Sequence, residues 1–379
     1  MLKRMLMVAT VPSMIGQFNM NNIQILQEMG YEVHVAADFT DESVWPREKC
    51  EDFCMEMNKR DILCHQIDFS RNPLKINRHL KSYKQLLELV RINQYNFIHT
   101  HTPIASAIIR IVAHRTHTKV IYTAHGFHFY DGASWKNWLI FYPIEKFLSR
   151  WTDVLITINE EDYKRAVEKL HAKEVVYVPG VGVDTKKFGN CNIDKKEKRA
   201  EFGIPDDAFV LISVGELQKR KNQKVIIEAL NILKNPDIYY IVVGQGILKA
   251  EYTQLITKYR LEQNVRLLGF RTDVAELLNM ADICVFPSYS EGLPVALMEA
   301  MAVGLPIVCS KIRGNVDLVK DNQGGFLCNP DDIGEFAEMI NKVIENGCDQ
   351  MGRVNKENIR KFDVESINEC MKEIYFRIV

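Results

Sequence analysis

The chain lacks any apolar run of eighteen residues, so no part of it has the apolar length that a bilayer-spanning helix needs. It also lacks a charge excess of either sign. Its 48 Lys and Arg against 49 Asp and Glu leave a net charge of -1, which removes the broad basic field that draws proteins to nucleic acid. Paired cysteine spacing is missing as well. The nine cysteines (Cys50, Cys54, Cys64, Cys191, Cys284, Cys309, Cys328, Cys348 and Cys370) are odd in number and scattered. Several sit inside apolar runs, as in DICVFPS and PIVCS, and read as buried thiols of a reducing compartment, not as a disulfide frame. Cys50, Cys54 and Cys64 with His65 match no zinc spacing. There is no short-period repeat and no low-complexity tract. The opening MLKRMLMVATVP is too short for a membrane span and carries no small-residue cleavage site. It predicts a first buried strand, Met5 to Ala9, ending in a loop.

What is present is apolar material enough for about two domains: 379 residues, 47% hydrophobic. Short apolar runs alternate with helical patterns throughout. RMLMVAT, YEVHVAA, FIHTHT, KVIYTAHG, VLITIN and VVYVPG form one series. FVLISVGE, YYIVVGQG, VRLLGF, ICVFPS, PIVCS and GFLCN form another. Helical stretches such as KVIIEALNILKN and DVAELLNMA lie between them. Continuous apolar strands separated by helices specify parallel sheets covered on both faces, and two series specify two doubly wound α/β domains. Apolar periodicity lapses in PGVGVDTKKFGNCNIDKKEKRAEFGIPDDAF, which places the seam near residues 185–205. The expected domains are residues 1–185 and 186–362. A last helix in 363–379 follows the second sheet and is expected to pack back across the seam. In open α/β sheets ligands sit beyond the carboxyl ends of the strands. The informative loops are therefore Thr10 to Gln17, Thr123 to Gly132, Gly215 to Asn222, Gly244 to Gly246, Phe270 to Asp273 and Pro287 to Pro294. Two sheets facing each other would set both groups of loops around one cleft.

The segment SYSEGLPVALMEAMAVGLP is apolar from Val295 to Val303 except at Glu299. Pro294 suits the first position of that helix, where its missing N–H would have had no partner. Gly304 suits the cap. Gly292 and Leu293 would then present amides at the positive end of the helix dipole, an arrangement that binds anions. Helical side chains lean toward the N-terminus, so Glu299 can point to the same opening. Glu291 stands in the preceding loop. A buried ionised carboxylate is costly without donors. The hydroxyls of a ribose would satisfy Glu299 and those of a hexose Glu291, in the order a sugar nucleotide presents them. The plain alternative is a solvent-facing Glu299 and an ordinary loop acid at 291.

Glu291 and Glu299, with seven residues between them in the frame PSxxEGLPxxxxEAMAxGLPxV, resemble the acid pair of the retaining glycosyltransferases of family 4, which have the GT-B fold. The likeness covers nearly the whole chain, through VGELQKRKNQKVIIEAL, IVVGQG, NVRLLGFRTDV and SKIRGNVDLV in order. In the N-terminal half TAHGFHFYDG, FYPIEKFLSRWTDVLITINEEDY and VPGVGVDTKKF resemble the bacterial subgroup that assembles capsular and extracellular polysaccharides. The resemblance implies two Rossmann-like domains facing a central cleft. It implies a hexose or N-acetylhexosamine passed from a nucleotide-diphosphate sugar, with uridine as the base, to an undecaprenyl-diphosphate-linked saccharide. By the same resemblance Glu299 holds the ribose, Glu291 contacts the donor sugar, and Lys221 neutralises the diphosphate. Gly292, Leu293 and Pro294 form the phosphate cradle, Phe270 and Arg271 face the nucleobase, His125 stands beside the transferring sugar, and Gly16 lies in the first N-terminal loop. The sequence departs from the pattern at Glu216, where many relatives have arginine. Arg220, Lys219 or the helix dipole would have to replace that charge.

No Asp-x-Asp occurs, so neither metal nor other cofactor is expected. Protein charges are expected to stabilise the leaving phosphate, with attack by the acceptor on the face the phosphate leaves. His99 and His101 alternate at a strand end without an evident third metal ligand and would instead line the acceptor side. GQG at Gly244 to Gly246 reads as a tight turn ahead of a phosphate loop. Between Leu74 and Arg91, Lys75, Arg78, Lys81 and Lys84 recur at helical spacing beside an apolar stripe of Leu80, Tyr83, Leu87 and Val90. That is either a solvated basic face or a patch for anionic lipid, which with the missing span points to a cytoplasmic, peripheral protein. A sugar-nucleotide epimerase, a non-catalytic sugar-nucleotide binding subunit and, on Gly244 to Gly246 alone, a dehydrogenase are the alternatives.

Overall fold

Fully apolar strands need cover on both faces, and this chain builds that arrangement twice. The computed structural model describes residues 3–347 and 349–378, so Cys348 falls outside it. The chain divides into two units, Met1–Val181 with Glu365–Val379, and Gly182–Val364.

The first unit holds β1 (Lys3–Val8), β2 (Tyr31–Ala37), β3 (Leu63–Gln66), β4 (Phe97–Thr100), β5 (Lys119–Ala124), β6 (Val154–Thr157) and β7 (Glu174–Tyr177). They form one parallel sheet in the order β3-β2-β1-β4-β5-β6-β7. The strand order reverses between β1 and β4. β3 is absent from the sequence reading because LCHQ is no apolar run; it is a short edge strand with half-exposed side chains, registered by pairing such as Val35 with Cys64. One face packs on the helices Met20–Glu28 and Arg47–Lys59, the other on Ile76–Asn93 and Pro103–Thr116.

The helix Val364–Ile378 belongs to this unit although it follows the second sheet in sequence. Ile367, Met371, Ile374 and Tyr375 are buried in the core beneath β1 and β4. Burial of each such side chain is worth about 2 kcal/mol. Tyr375 is also tied to His99 Nδ1 at 2.8 Å.

Two expectations change here. The segment after β1 is not a loop to Gln17, because Pro12 opens a helix, Pro12–Phe18; proline suits the first helical position. Gly16 is therefore helical, and a Cβ on it would lie 2.5 Å from Trp45 Cη2. Its small size serves packing against Trp45 and Phe53. In the helix Ile76–Asn93 the buried residues are Ser82, Leu86 and Val90, while Leu80 is exposed. Ser82 can turn inward because its hydroxyl donates to the carbonyls of Asp68 and Arg78. Of the four basic residues, Lys81 pairs with Asp68 and Arg78 with Asp38.

The second unit holds β8 (Phe209–Val214), β9 (Ile238–Val243), β10 (Val265–Gly269), β11 (Ile283–Phe286), β12 (Ile307–Ser310) and β13 (Gly325–Cys328). All pair in parallel in the order β10-β9-β8-β11-β12-β13. Its order reverses between β8 and β11. Among the described residues no helix is long and apolar enough to cross a membrane.

Candidate functional site

The strand reversal leaves an opening beyond the carboxyl ends of β8 and β11. The loops leaving those two strands carry Glu216–Gln223 and Pro287–Pro294. Lys221 Nζ lies 2.8 Å from Glu291 Oε1, and Arg220 Nη1 lies 2.8 Å from Glu291 Oε2. Arg220 also donates to the Ser290 carbonyl at 2.7 Å, and its own carbonyl accepts from the Tyr289 amide. Lys221 sits 4.9 Å over the Phe286 ring. Asn222, at φ 53, donates to the carbonyls of Pro287 and Pro330. The two loops are thus laced together around one buried acid. Burial works to raise the Glu291 carboxyl, but Lys221 and Arg220 outweigh it and hold it below the usual range. Glu291 stays ionised and the two cations stay oriented.

The helix of this loop runs Val295–Val303, and Pro294 is its N-cap, with φ -79 and ψ 116. It is not the first helical residue as the sequence suggests. Its carbonyl accepts from the amides of Leu297 and Met298, the work of a capping residue whose own ψ stays extended. The leading amides of the helix therefore belong to Val295 and Ala296, one turn closer to Glu299 than Gly292 and Leu293. Gly292 is backed by Gly314: a Cβ at Gly314, φ 81, would lie 2.3 Å from the Gly292 oxygen. Arg313 Nε donates to the Glu291 carbonyl at 3.1 Å. Gly314 and Arg313 are parts of the site that sequence reasoning missed. The only signal was SKIRGNVDLV, whose Arg-Gly pair has no charge or period to distinguish it.

Glu299 lies on the half-buried stripe that it shares with Val295 and Ala296, while Leu297, Met298, Ala300 and Met301 are fully buried. No described residue donates a hydrogen bond to its carboxyl. Burial pushes that carboxyl up to about 7, with Lys187 pulling the other way. The plain reading of Glu299 as a solvent-facing acid does not hold: it is half-buried, and among the described residues its carboxyl has no hydrogen-bond donor.

The remaining candidates of this unit lie apart from that cluster in the hydrogen-bond network. Phe270 is exposed. Arg271 is engaged by Asp273 in two short hydrogen bonds, and Lys198 holds the same acid. Glu216 accepts from Gln218 and bonds no described cation. Gly244 and Gly246 leave no room for side chains because the Gly215 and Leu217 carbonyl oxygens would stand 2.0 and 2.3 Å from their Cβ atoms. The GQG turn is packed against the loop after β8.

In the first unit, His125 directly follows β5 and meets His101 at 3.4 Å, and the rings of His101 and His99 lie tilted to each other with centroids 4.1 Å apart. His99 is satisfied by Tyr375 and by Thr123 at 2.8 Å each. Burial lowers His99 to about 3 and His125 to about 4. His101 Nε2 is buried without a partner. A small pocket opens between His101, His125, Asn19 and Gly180. Among the described residues no group of three or more His, Cys, Asp or Glu is placed to hold a metal ion.

Residues 17–187 match the family described as Glycosyltransferase Family 4, and residues 194–362 match Glycosyl transferases group 1. A putative glycosyltransferase, EpsD, of Bacillus subtilis (strain 168) is 34% identical, over 99% of this chain and 97% of the relative. The Escherichia coli UDP-Gal:alpha-D-GlcNAc-diphosphoundecaprenol alpha-1,3-galactosyltransferase is 30% identical, over 81% of each chain. The crystal structure of Anabaena Alr3699/HepE in complex with UDP and glucose superposes with a TM-score of 0.79 over 99% of this chain and 100% of that one, at 21% identity; it shares the fold.

Proposed function

The chain belongs to the GT-B glycosyltransferases of family 4 that act in bacterial polysaccharide biosynthesis, and from that premise we propose that it moves a hexose or N-acetylhexosamine from a UDP-sugar to a lipid-linked saccharide with retention of configuration. The observation that carries the donor reading is the Lys221–Glu291–Arg220 cluster at the mouth of an apolar helix whose one acid, Glu299, has no donor of its own. The diphosphate lies against Lys221, Arg220 and the first amides of Val295–Val303, where cations and the helix dipole oppose its charge. Of the three candidates for the charge missing at Glu216, Arg220 is favoured, because its guanidinium is already in the cluster. Glu299 accepts from the ribose hydroxyls and Glu291 from a hydroxyl of the sugar.

In the transfer itself the bond between the anomeric carbon and the phosphate oxygen breaks, and the acceptor oxygen bonds to that carbon on the same face. The acceptor's proton goes to the departing phosphate. Negative charge grows on that phosphate in the transition state. Lys221 and Arg220 are pre-oriented by Glu291, so no reorganisation is needed at that moment. The proposal has no metal or other cofactor in it. Unit 1 takes the acceptor, with His125 orienting sugar hydroxyls in its neutral form. A lipid-linked acceptor is supported by the name of the E. coli relative, a galactosyltransferase acting on a GlcNAc-diphosphoundecaprenol.

The test is a panel of nucleotide sugars screened by thermal shift, followed by transfer of labelled sugar to a short-chain prenyl-diphosphate saccharide. Binding of a UDP-sugar and an α-linked product are expected. Turnover of the nucleotide sugar to an isomer without any acceptor would instead favour an epimerase, and binding without turnover a non-catalytic subunit.

A further inference from the structure

The helix Trp135–Leu148 reads WKNWLIFYPIEKFL and is apolar nearly all round. One arc packs inward: Trp138 and Tyr142 against Phe129, and Phe141 on His128. The opposite arc carries Trp135, Leu139, Ile140, Ile144 and Phe147, every one of them at least 49% exposed. A helix apolar on both arcs has an unfilled requirement for a second partner. Its sole acid, Glu145, is turned inward and fully engaged by Arg110 at 2.6 and 2.9 Å. The exposed arc therefore carries cations alone: Lys136 near one end, Lys146 and Arg150 near the other. No described acid pairs with any of the three.

Ile140 and Ile144 also form one lip of a groove of about 300 Å³. Ile104, Ile108, Phe127 and Phe129 line its interior, and Pro73 and His79 form the other lip. Leu74, Ile76 and Leu80, beside that second lip, are exposed as well. Two sets of exposed apolar side chains thus meet at one apolar groove, with basic residues around them. A protein partner would be expected to bring acids matched to particular cations. A leaflet of anionic lipid meets the whole pattern at once: tryptophan at the headgroup level, aliphatic side chains below it, cations at the rim.

We propose that this face of the first unit seats on an anionic bilayer, the helix Trp135–Leu148 lying in the interface and one aliphatic chain of a lipid entering the groove. The proposal rests on the lipid-linked acceptor reading above for its purpose and moves the membrane contact away from Lys75, Arg78, Lys81 and Lys84. Two of those four are neutralised by Asp38 and Asp68.

The test is flotation of the full chain with phosphatidylcholine vesicles, with and without about one third phosphatidylglycerol. Wild type is expected to float only with the anionic vesicles. K136Q/K146Q/R150Q should weaken binding about a hundredfold, at about fivefold per charge. L139Q/I144Q should weaken it at least about tenfold. Trp135 emission should shift to the blue on binding, and W135F should remove most of that shift while still floating. Dansyl-undecanoic acid below its micelle concentration should bind wild type one to one, and A107W, which puts an indole into the groove that Ala107 also lines, should lose it.

Wild type that does not float, or an L139Q/I144Q variant that floats equally well, overturns the surface. A107W binding the fatty acid unchanged overturns the groove. Self-association abolished by L139Q/I144Q, with no vesicle binding, assigns the face to a second copy and also overturns the proposal. Transfer to a short-chain soluble acceptor without vesicle binding sinks the surface and leaves the catalytic reading intact. Vesicle binding without transfer from any nucleotide sugar does the reverse.

Discussion

Replacing Glu299 by glutamine should stabilise the free protein above pH 7 and weaken the donor complex. The unfolded chain releases this proton near 4.5, and the folded protein holds it to about 7 because the carboxyl is buried without donors. Between those values the folded state binds more protons than the unfolded one, so stability falls as pH rises from 4.5 to 7 and is level above. At 1.36 kcal/mol per pH unit the interval amounts to about 3 kcal/mol. The side chain is not wholly sealed from water, which reduces this to about 2 kcal/mol. Glutamine has nearly the same shape and no proton to lose. Glu299→Gln should therefore match wild type at pH 4 and exceed it by about 2 kcal/mol at pH 8, a shift of roughly 1 M in the urea midpoint.

The assay is urea unfolding followed by circular dichroism at the two pH values. The four tryptophans, Trp45, Trp135, Trp138 and Trp151, all lie in the first unit, so tryptophan emission should not report the change. The donor side moves oppositely: loss of charge-assisted bonds to a ribose should weaken UDP-sugar binding about tenfold to a hundredfold. A midpoint difference that is the same at pH 4 and pH 8, together with wild-type donor affinity, would refute the reasoning.

Three further perturbations are informative. Lys221→Ala should lower kcat by about a hundredfold or more with a smaller change in KM, because the ammonium opposes charge that grows in the transition state; steady-state kinetics with the nucleotide sugar that the thermal-shift panel selects decides it. Arg110→Met should destabilise the first unit by about 3–5 kcal/mol by leaving Glu145 buried and unpaired, and Arg110→Met with Glu145→Leu should restore most of it, as read by urea titration of tryptophan emission. Gly16→Ala should cost about 1–2 kcal/mol in the same titration, since the clash with Trp45 outweighs the roughly 1 kcal/mol gained in helix propensity.

Two runs of fully apolar strands, each broken by helical periods, were enough to determine two parallel α/β sheets, because strands buried on both faces leave no polar alternation to be misread. The six strands expected in Phe209–Cys328 are the six that form. The edge strand Leu63–Gln66 escaped notice for the opposite reason: half exposed, it needs no apolar run. The frame around Glu291 and Glu299 was legible as chemistry because an acid inside an apolar helix violates the local pattern. What the linear chain could not express was partnership. Lys221 and Arg220 reach Glu291 only because β8 and β11 are neighbours at the point where strand order reverses, seventy residues apart in sequence. The role of Gly16 turned on Trp45, and the burial of Ser82 on a carbonyl of Asp68, neither of which has a signal at the position itself. The exposed arc of Trp135–Leu148 is the clearest case. In sequence its residues are indistinguishable from core, since hydrophobicity records a preference for leaving water, and only packing in three dimensions decides which of those preferences the chain itself fulfils.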